Sequence, residues 1–288
     1  MFNVISGPCA YDSHADATTK KLVKYLKAEK QEYSVYFSKS FEDFSKTVDE
    51  LTTNLETEFI VVGDDVVLHE FLNSVFDISK IKFGIVPSGA KNDFATYLEI
   101  PSSPISALKN ILQKNVVGVD YLAVNNKLAI NNVVVGASAE LFEIVNSYKV
   151  KNFVTKTYAS MKYYNKFEGI NLTIDTKSGK PKTETIFDLS IANGGLLHGK
   201  HISPLANVQD GLCNLNYCTD VQKEEKKKYF NAYSSGDQIY DEKTKQVWLN
   251  SLKITSPDGT IKAVVDGKVE NCPAVEVIVK EKGLKIYM

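Results

Sequence analysis

Cysteine is scarce in this 288-residue chain. The four thiols, Cys9, Cys213, Cys218 and Cys272, form no C-x-x-C pair and are too few for a disulfide scaffold, so reduced thiols in a cytoplasmic protein are expected. A basic surplus is missing too. Lys+Arg number 34 against 35 Asp+Glu, a net charge of -1, which removes the global footprint of a nucleic-acid binder. No apolar run approaches the ~18–20 residues that cross a bilayer. The amino terminus, Met-Phe-Asn-Val-Ile-Ser-Gly-Pro, has neither a basic n-region nor a long apolar h-region, so no secretory signal is expected. Any membrane contact is then made from outside, peripherally, at the inner face. Internal repeats and low-complexity linkers are also lacking. What remains is 43% hydrophobic and 24% charged, an ordinary globular balance, and 288 residues favour two domains over one.

Through about residue 115, short apolar runs alternate with helical periodicity. Phe2–Ile5, Tyr33–Phe37, Phe59–Val62 and Ile85–Val86 read as strands. Helical stretches lie between them: Thr18–Lys30, a segment capped by Ser40 with Phe41, Phe44, Val48 and Leu51 on one face, and Leu68 to Val75. Ser103-Pro104 opens another. Such alternation implies a mainly parallel sheet covered by helices, with ligands at the carboxyl ends of the strands, where Gly63 and Gly89 fall. After residue 116 the pattern turns strand-rich. Val116–Val119, Tyr121–Val124 and Lys127–Val135 read as strands, then a helix near Ala139–Ser147, then apolar segments at 170–174, 186–192, 212–217, 261–265 and 275–279. Turns such as Ser178-Gly-Lys-Pro181 and Pro257-Asp-Gly259 separate them, and this half reads as an antiparallel sandwich or barrel.

Several residues carry two readings. Gly63-Asp64-Asp65 can be a tight turn whose acids cap the next helix, or an acidic pair holding Mg²⁺ at the sheet edge. His198 and His201 can be loop residues or metal ligands, with Gly199 against a shared helix and no third ligand in view. Cys213 and Cys218 are read as buried thiols rather than a redox pair. The run Lys223-Glu-Glu-Lys-Lys-Lys228 is read as a solvated helix or loop rather than an anionic-lipid patch.

Phe83-Gly-Ile-Val-Pro-Ser-Gly-Ala-Lys-Asn-Asp-Phe-Ala95 resembles the Pro-x-Gly-Thr-x-Asn-Asp-Phe-Ala segment of diacylglycerol and other lipid kinases. Gly63-Asp-Asp-Val-Val-Leu-His-Glu-Phe-Leu-Asn73 resembles that family's Gly-Gly-Asp-Gly-Thr-x-x-Glu-x-x-Asn element. Asn131 with Gly136, Pro204-x-Ala206, Asp210-Gly-Leu212 and Asp266-Gly267 follow in the family's order. Asn92-Asp-Phe-Ala95 sets this reading apart from NAD kinases, which share a Gly-Gly-Asp-Gly turn.

The resemblance implies a Rossmann-like three-layer α/β domain over 1–118, joined by about 280–288 returning to it, and a β-sandwich over 119–279. It implies ATP and Mg²⁺ as cofactors, bound between the domains, and a lipid hydroxyl such as that of diacylglycerol as phosphoryl acceptor. Carried over, Asp64 to Glu70 (Asp64, Asp65, Val66, Val67 and Glu70 among them) is the nucleotide loop, with Ser38 near base or ribose and Gly63, Gly89, Ala90, Asn92 and Asp93 lining the site. Asp65 is the metal-associated acid. Asp210 with backbone oxygens of Asn207 and Leu212 matches a structural magnesium site, although the family's next aspartate is Asn214 here. Lys268 stands where the family has its catalytic glutamate.

Departures concentrate at the chemistry. Asp64, Val66 and Val67 replace two glycines and a threonine, and glycine-rich turns bring N–H groups close to phosphate and can use φ > 0 without Cβ strain. A carboxylate ~4 Å from a phosphate costs roughly 1–4 kcal/mol, and a bound Mg²⁺ reverses the sign. Lys91 offers a compensating cation. Lysine carries its proton at neutral pH and accepts none, and general-base catalysis contributes ~10²–10⁴ in rate. Glu270, on the same strand face roughly 6.5 Å along, reaches as a substitute base only with a bulge or register shift, and Lys268 is alternatively an anchor for phosphate or headgroup. Two functions therefore stand: an ATP-dependent lipid kinase with weak or lost activity, or a non-catalytic nucleotide- or lipid-binding relative.

Overall fold

The computed structural model describes every residue except 9–13, 54–56, 90, 148–161, 164, 178, 198, 220 and 236. Cys9, Ala90, Ser178 and His198 therefore lie outside the described residues. The chain divides into Met1–Tyr121 with Glu281–Met288, and Leu122–Lys280.

In the first unit, β1 (Phe2–Ser6), α1 (His14–Ala28), β2 (Tyr33–Phe37), α2 (Phe41–Thr52), β3 (Thr57–Gly63), α3 (Asp65–Ser74), β4 (Ile81–Pro87), α4 (Asp93–Tyr97) and α5 (Pro104–Leu112) alternate as the sequence implies. The strands pair in parallel in the order β2-β1-β3-β4, and Ile286 pairs parallel with Phe83. Helices cover both faces, which is why Phe59 to Val62 is apolar at every position. On one face, Leu22, Leu26, Leu108 and Ile111 pack on the sheet. On the other, Phe71 stands edge-on to Phe59 and Phe83, with centroids at 5.1 and 5.5 Å. Gly84 sets the spacing of α5, because a Cβ there would lie 2.3 Å from Ile111 Cγ1.

The second unit is antiparallel. It contains β6 (Lys127–Ala129), β7 (Asn132–Gly136), α6 (Ala137–Ser147), β8 (Ile170–Asp175), β9 (Lys182–Ala192), β10 (Leu196–Leu197), β11 (Lys200–His201), β12 (Cys213–Thr219), α7 (Lys226–Ser235), β13 (Thr244–Leu249), β14 (Ser251–Thr255), β15 (Ile261–Val265) and β16 (Lys268–Cys272). The strands β5 (Val116–Val124) and β17 (Ala274–Tyr287) contain the two division points. Strands run β16-β15-β7-β9-β8-β14, and β12 adds β13 beside β9. Val133 and Val135 enter the main core with Leu189 and Ile254, whereas Val134 packs with Ile202 and Val264. Burial on both faces makes β7 a continuous apolar run rather than an alternating one.

Several sequence readings need correction. Val116–Val124 is one strand, not two. Lys127–Val135 is broken, and β17 continues to Tyr287. The polar residues of β13, β14 and β16 diluted their strand signal. The lysine run is not wholly solvated: Lys226 is buried and its ammonium donates to the Phe167 carbonyl at 2.7 Å. Cys213 and Cys218 are buried thiols, each pushed up to about 12 chiefly by burial.

Asp266 accounts for the break in the Lys127–Val135 run. It turns β15 into β16 with Gly267, at φ 45° and 84°, the paired positive values of a two-residue hairpin that Asp-Gly suits. Its buried carboxylate accepts the N–H groups of Ile130, Asn131 and Asn132 at 2.7, 2.9 and 3.0 Å. These donors point to a charge instead of to a neighbouring strand.

Gly84→Ala should destabilise by about 1–3 kcal/mol, read as a lower denaturant midpoint at unchanged slope. An unchanged midpoint would mean that α5 is free to lift. Asp266→Ala leaves three buried donors unpaired and should cost at least as much, roughly 3 kcal/mol.

Candidate functional site

The carboxyl edge of the first unit brings most of the expected nucleotide residues together. β3 ends at Gly63, and Asp64 is the N-cap of α3 at φ -99°, ψ -174°, with its Oδ1 accepting Val67 N–H at 3.2 Å. That backbone is extended, so aspartate replaces the family's glycine without strain. Burial pushes the Asp64 carboxyl above its usual range, against the opposing pull of the Val67 and Val66 N–H groups and the Lys91 charge. Val67 is wedged beside two glycines: a Cβ at Gly7 would lie 2.4 Å from Val67 Cγ2, and one at Gly63 would lie 2.5 Å from Val67 Cβ. Apolar packing fills the space under the turn.

The loop after β4 is tied to this turn. Ser88 N–H donates to Gly63 O at 3.0 Å, and Asp65 N–H donates to Lys91 O at 2.8 Å. Gly89 is required twice over, since its φ is 113° and a Cβ would lie 3.1 Å from Asp64 Cβ. The Asn92 amide donates to Gly89 O at 3.0 Å. Asp65 accepts Asp93 N–H at 2.7 Å and Phe94 N–H at 3.2 Å, capping α4. Phe94 and Ala95 are buried, so the Asn92-Asp-Phe-Ala95 motif anchors in the core and presents its two polar residues outward.

Other residues of the set point elsewhere. Glu70 accepts from Ser45 Oγ at 3.1 Å and so ties α3 to α2. Ser38, just past β2, has a buried hydroxyl with no hydrogen-bond partner, and so does Ser6 at the end of β1. Ser6 is legible in the sequence only through Ser6-Gly-Pro8, a loose match to the family's Asn-Pro-x-Ser-Gly turn. Both hydroxyls lie at the carboxyl ends of neighbouring parallel strands, β1 and β2.

In the second unit, Lys268 opens β16 opposite Val265, and Glu270 lies opposite Ala263. Glu270 is ion-paired with Lys127, so its carboxylate is already engaged. Asp210 lies in an exposed loop with its Oδ1 on Leu212 N–H at 3.0 Å, while Asn207 Oδ1 accepts Gln209 N–H at 3.1 Å. Asn214 is buried in β12. Among the described residues no three His, Cys, Asp or Glu side chains come together. A divalent cation there would need backbone carbonyl oxygens beside the Asp210 carboxylate, and no step is derived through a metal there. His201 is exposed on β11.

Because Asp65 joins the two loops, Asp65→Ala should free Asp93 and Phe94 N–H groups. Hydrogen exchange there should accelerate, with roughly 1–2 kcal/mol of stability lost. Unchanged protection of both amides would remove the staple role.

Residues 2–124 match the family model described as the diacylglycerol kinase catalytic domain, and residues 131–288 match the YegS C-terminal NAD kinase beta sandwich-like domain. A Staphylococcus epidermidis protein named "Putative lipid kinase" is 25% identical over 282 residues, covering 92% of this chain and 81% of its own. A Staphylococcus haemolyticus protein named "Diacylglycerol kinase" is 24% identical over 205 residues, 68% of this chain and 61% of its own. The crystal structure of a diacylglycerol kinase from Bacillus anthracis str. Sterne superposes with a TM-score of 0.75 at 17% identity, covering 99% of this chain and 96% of that one. Yeast NADH kinase complexed with NADH gives 0.53 at 11%, covering 100% and 82%. The two structural likenesses establish the fold, an α/β unit followed by a β-sandwich. With each half matched by its own family model in chain order, the protein belongs to the diacylglycerol kinase family of lipid kinases.

Proposed function

We propose that this family member binds an adenine nucleotide with Mg²⁺ weakly at the carboxyl edge of its first unit, and transfers phosphoryl groups to a lipid hydroxyl poorly or not at all. The observation that carries this reading is the Asp64 carboxylate seated on the Val67 N–H of α3. Helix N-termini and glycine-rich turns bind phosphate because their N–H groups are free and the helix end is positive. Here the chain supplies its own anion to that position, and an incoming phosphate meets a negative charge first.

Retained binding is supported by the buried, unsatisfied hydroxyls of Ser6 and Ser38 and by the Asp65 staple that holds Asn92 and Asp93 at the same edge. Lys91 follows Gly89 in that loop and offsets part of the Asp64 charge. ATP with Mg²⁺ would supply the γ-phosphoryl group and neutralise the charge that develops on it.

Loss of transfer is supported in the second unit. The Lys268 ammonium has no lone pair to accept the hydroxyl proton of a lipid such as diacylglycerol. The nearest carboxylate on that strand face, Glu270, is held by Lys127. The acceptor side therefore lacks a base that an alcohol needs, worth ~10²–10⁴ in rate. Among the described residues no helix is long and apolar enough to cross a membrane, so access to lipid would be peripheral.

Calorimetry with MgATP should show weak binding by the native chain and about tenfold tighter binding by Asp64→Gly, corresponding to ~1.4 kcal/mol. Equal affinities would remove the self-supplied anion from the account. In a labelled-ATP assay, Lys268→Glu combined with Asp64→Gly should yield lipid phosphorylation where either change alone does not. Robust native turnover on diacylglycerol, indifferent to Lys268→Ala and abolished by Glu270→Gln, would instead identify Glu270 as the base.

A further inference from the structure

A second polar centre lies in the interior of the sandwich unit, among residues the kinase reading does not use. Asp188 on β9 is 6% exposed and accepts Ser138 N–H at 2.9 Å and Ser138 Oγ–H at 2.6 Å. Those bonds cap the start of α6 and satisfy part of the carboxylate, and the helix end contributes a fraction of a positive charge. They bring no whole positive charge. Among the described residues no lysine or histidine forms an ion pair with Asp188, and burying a lone carboxylate costs several kcal/mol.

Asp188 lines a cavity of about 20 Å³ together with Ser190, Asn216, Tyr217, Gln238 and Thr244. Asn216 and Gln238 are each 5% exposed, and each has an amide oxygen, Oδ1 and Oε1, that is buried without a hydrogen-bond partner. The other polar atoms are already oriented. Asn216 Nδ2 donates to Ser203 Oγ at 3.2 Å, and Thr244 Oγ1 donates to Gln238 O at 2.7 Å. The Thr244 hydroxyl has thereby spent its proton and keeps lone pairs. The lining is rich in oxygen acceptors around a space for one water-sized occupant.

We propose that this cavity is a site for a single dehydrated monovalent cation, potassium or sodium, held by the Asp188 carboxylate and the amide oxygens of Asn216 and Gln238. Burial pushes the Asp188 carboxyl up to about 7, and one water, which can donate only two hydrogen bonds, leaves the charge of its ionised form uncompensated. A cation meets both amide oxygens and the carboxylate at once and brings the net charge of the site to zero. Magnesium is disfavoured by the same chemistry, because it keeps several of its waters and the hole has room for none. The ion would join β9, β12 and the short 3₁₀ turn Gln238–Tyr240 that follows α7, and through Asp188 it would reach the first turn of α6.

Thermal unfolding of the full chain in KCl, NaCl and choline chloride at equal ionic strength tests the site. The native protein should melt roughly 2–4 °C or more higher in KCl or NaCl than in choline chloride. Asp188→Asn keeps the shape and an acceptor for Ser138 N–H, so it should fold and lose that difference. Gln238→Met removes one amide oxygen without touching Asp188 and should reduce it. Rubidium-soaked crystals should show one anomalous peak between Asp188, Asn216 and Gln238. Melting that ignores the identity of the monovalent salt, with only a water at that position, would overturn the proposal. So would a stabilisation by Mg²⁺ or Ca²⁺ that disappears in Asp188→Asn while K⁺ and Na⁺ have no effect.

Discussion

Two adjacent carboxylates hold the carboxyl edge of the first unit together. Asp64 turns back onto α3, and Asp65 reaches across to the N–H groups of Asp93 and Phe94. Everything expected of the nucleotide edge depends on this division of labour. The Asp65 bond keeps the loop after β4 in register with the turn after β3. The Asp64 bond takes an N–H group that a phosphate would otherwise take. Under the proposed function, the same short segment keeps the loop arrangement while satisfying the start of α3 from within.

The pattern extends through the molecule. All 34 basic residues are lysine, and the chain contains no arginine. Arginine is the side chain whose rigid fork best matches a buried carboxylate. Without it, the buried acids lean on backbone N–H groups instead. Asp120 accepts from Lys282 N–H at 2.6 Å, Asp188 from Ser138, and Asp266 from three consecutive residues. Such bonds are charge-assisted and geometrically demanding, so they pin loops and helix starts. Lysine ion pairs lie nearer the surface, as in the Lys127 pair with Glu270 and the Lys262 pairs with Glu140 and Glu143.

Much of the fold was legible because local and global signals agree. Phe59 to Val62 is apolar at each position since both faces of a parallel sheet are covered, and Ser40 and Pro104 sit at the helix starts their chemistry favours. The Asn92-Asp-Phe-Ala95 motif marked the family because Phe94 must reach the core while its neighbours stay polar. The rest was written in long-range partners that spacing does not reveal. Asp64 reads in the sequence either as a helix cap or as half of a metal-holding pair, and its extended backbone and bond to Val67 N–H make it the cap. Asp65 reads as a metal-associated acid, and spacing does not show the bonds it also makes to N–H groups 28 and 29 residues away. Lys226 looked solvated within its charged run, and its partner Phe167 is 59 residues distant. Strands β13, β14 and β16 were missed because polar residues interrupt their apolar positions.

Single-turnover phosphoryl transfer tests the central claim most directly. Chain at saturating MgATP, labelled at the γ-position, would be mixed with vesicles containing diacylglycerol, and labelled lipid counted over minutes. A chain whose α3 terminus is self-satisfied and whose acceptor-side position is lysine should form no more labelled lipid than protein-free vesicles. One equivalent of labelled lipid per chain, formed by the native protein, would contradict it.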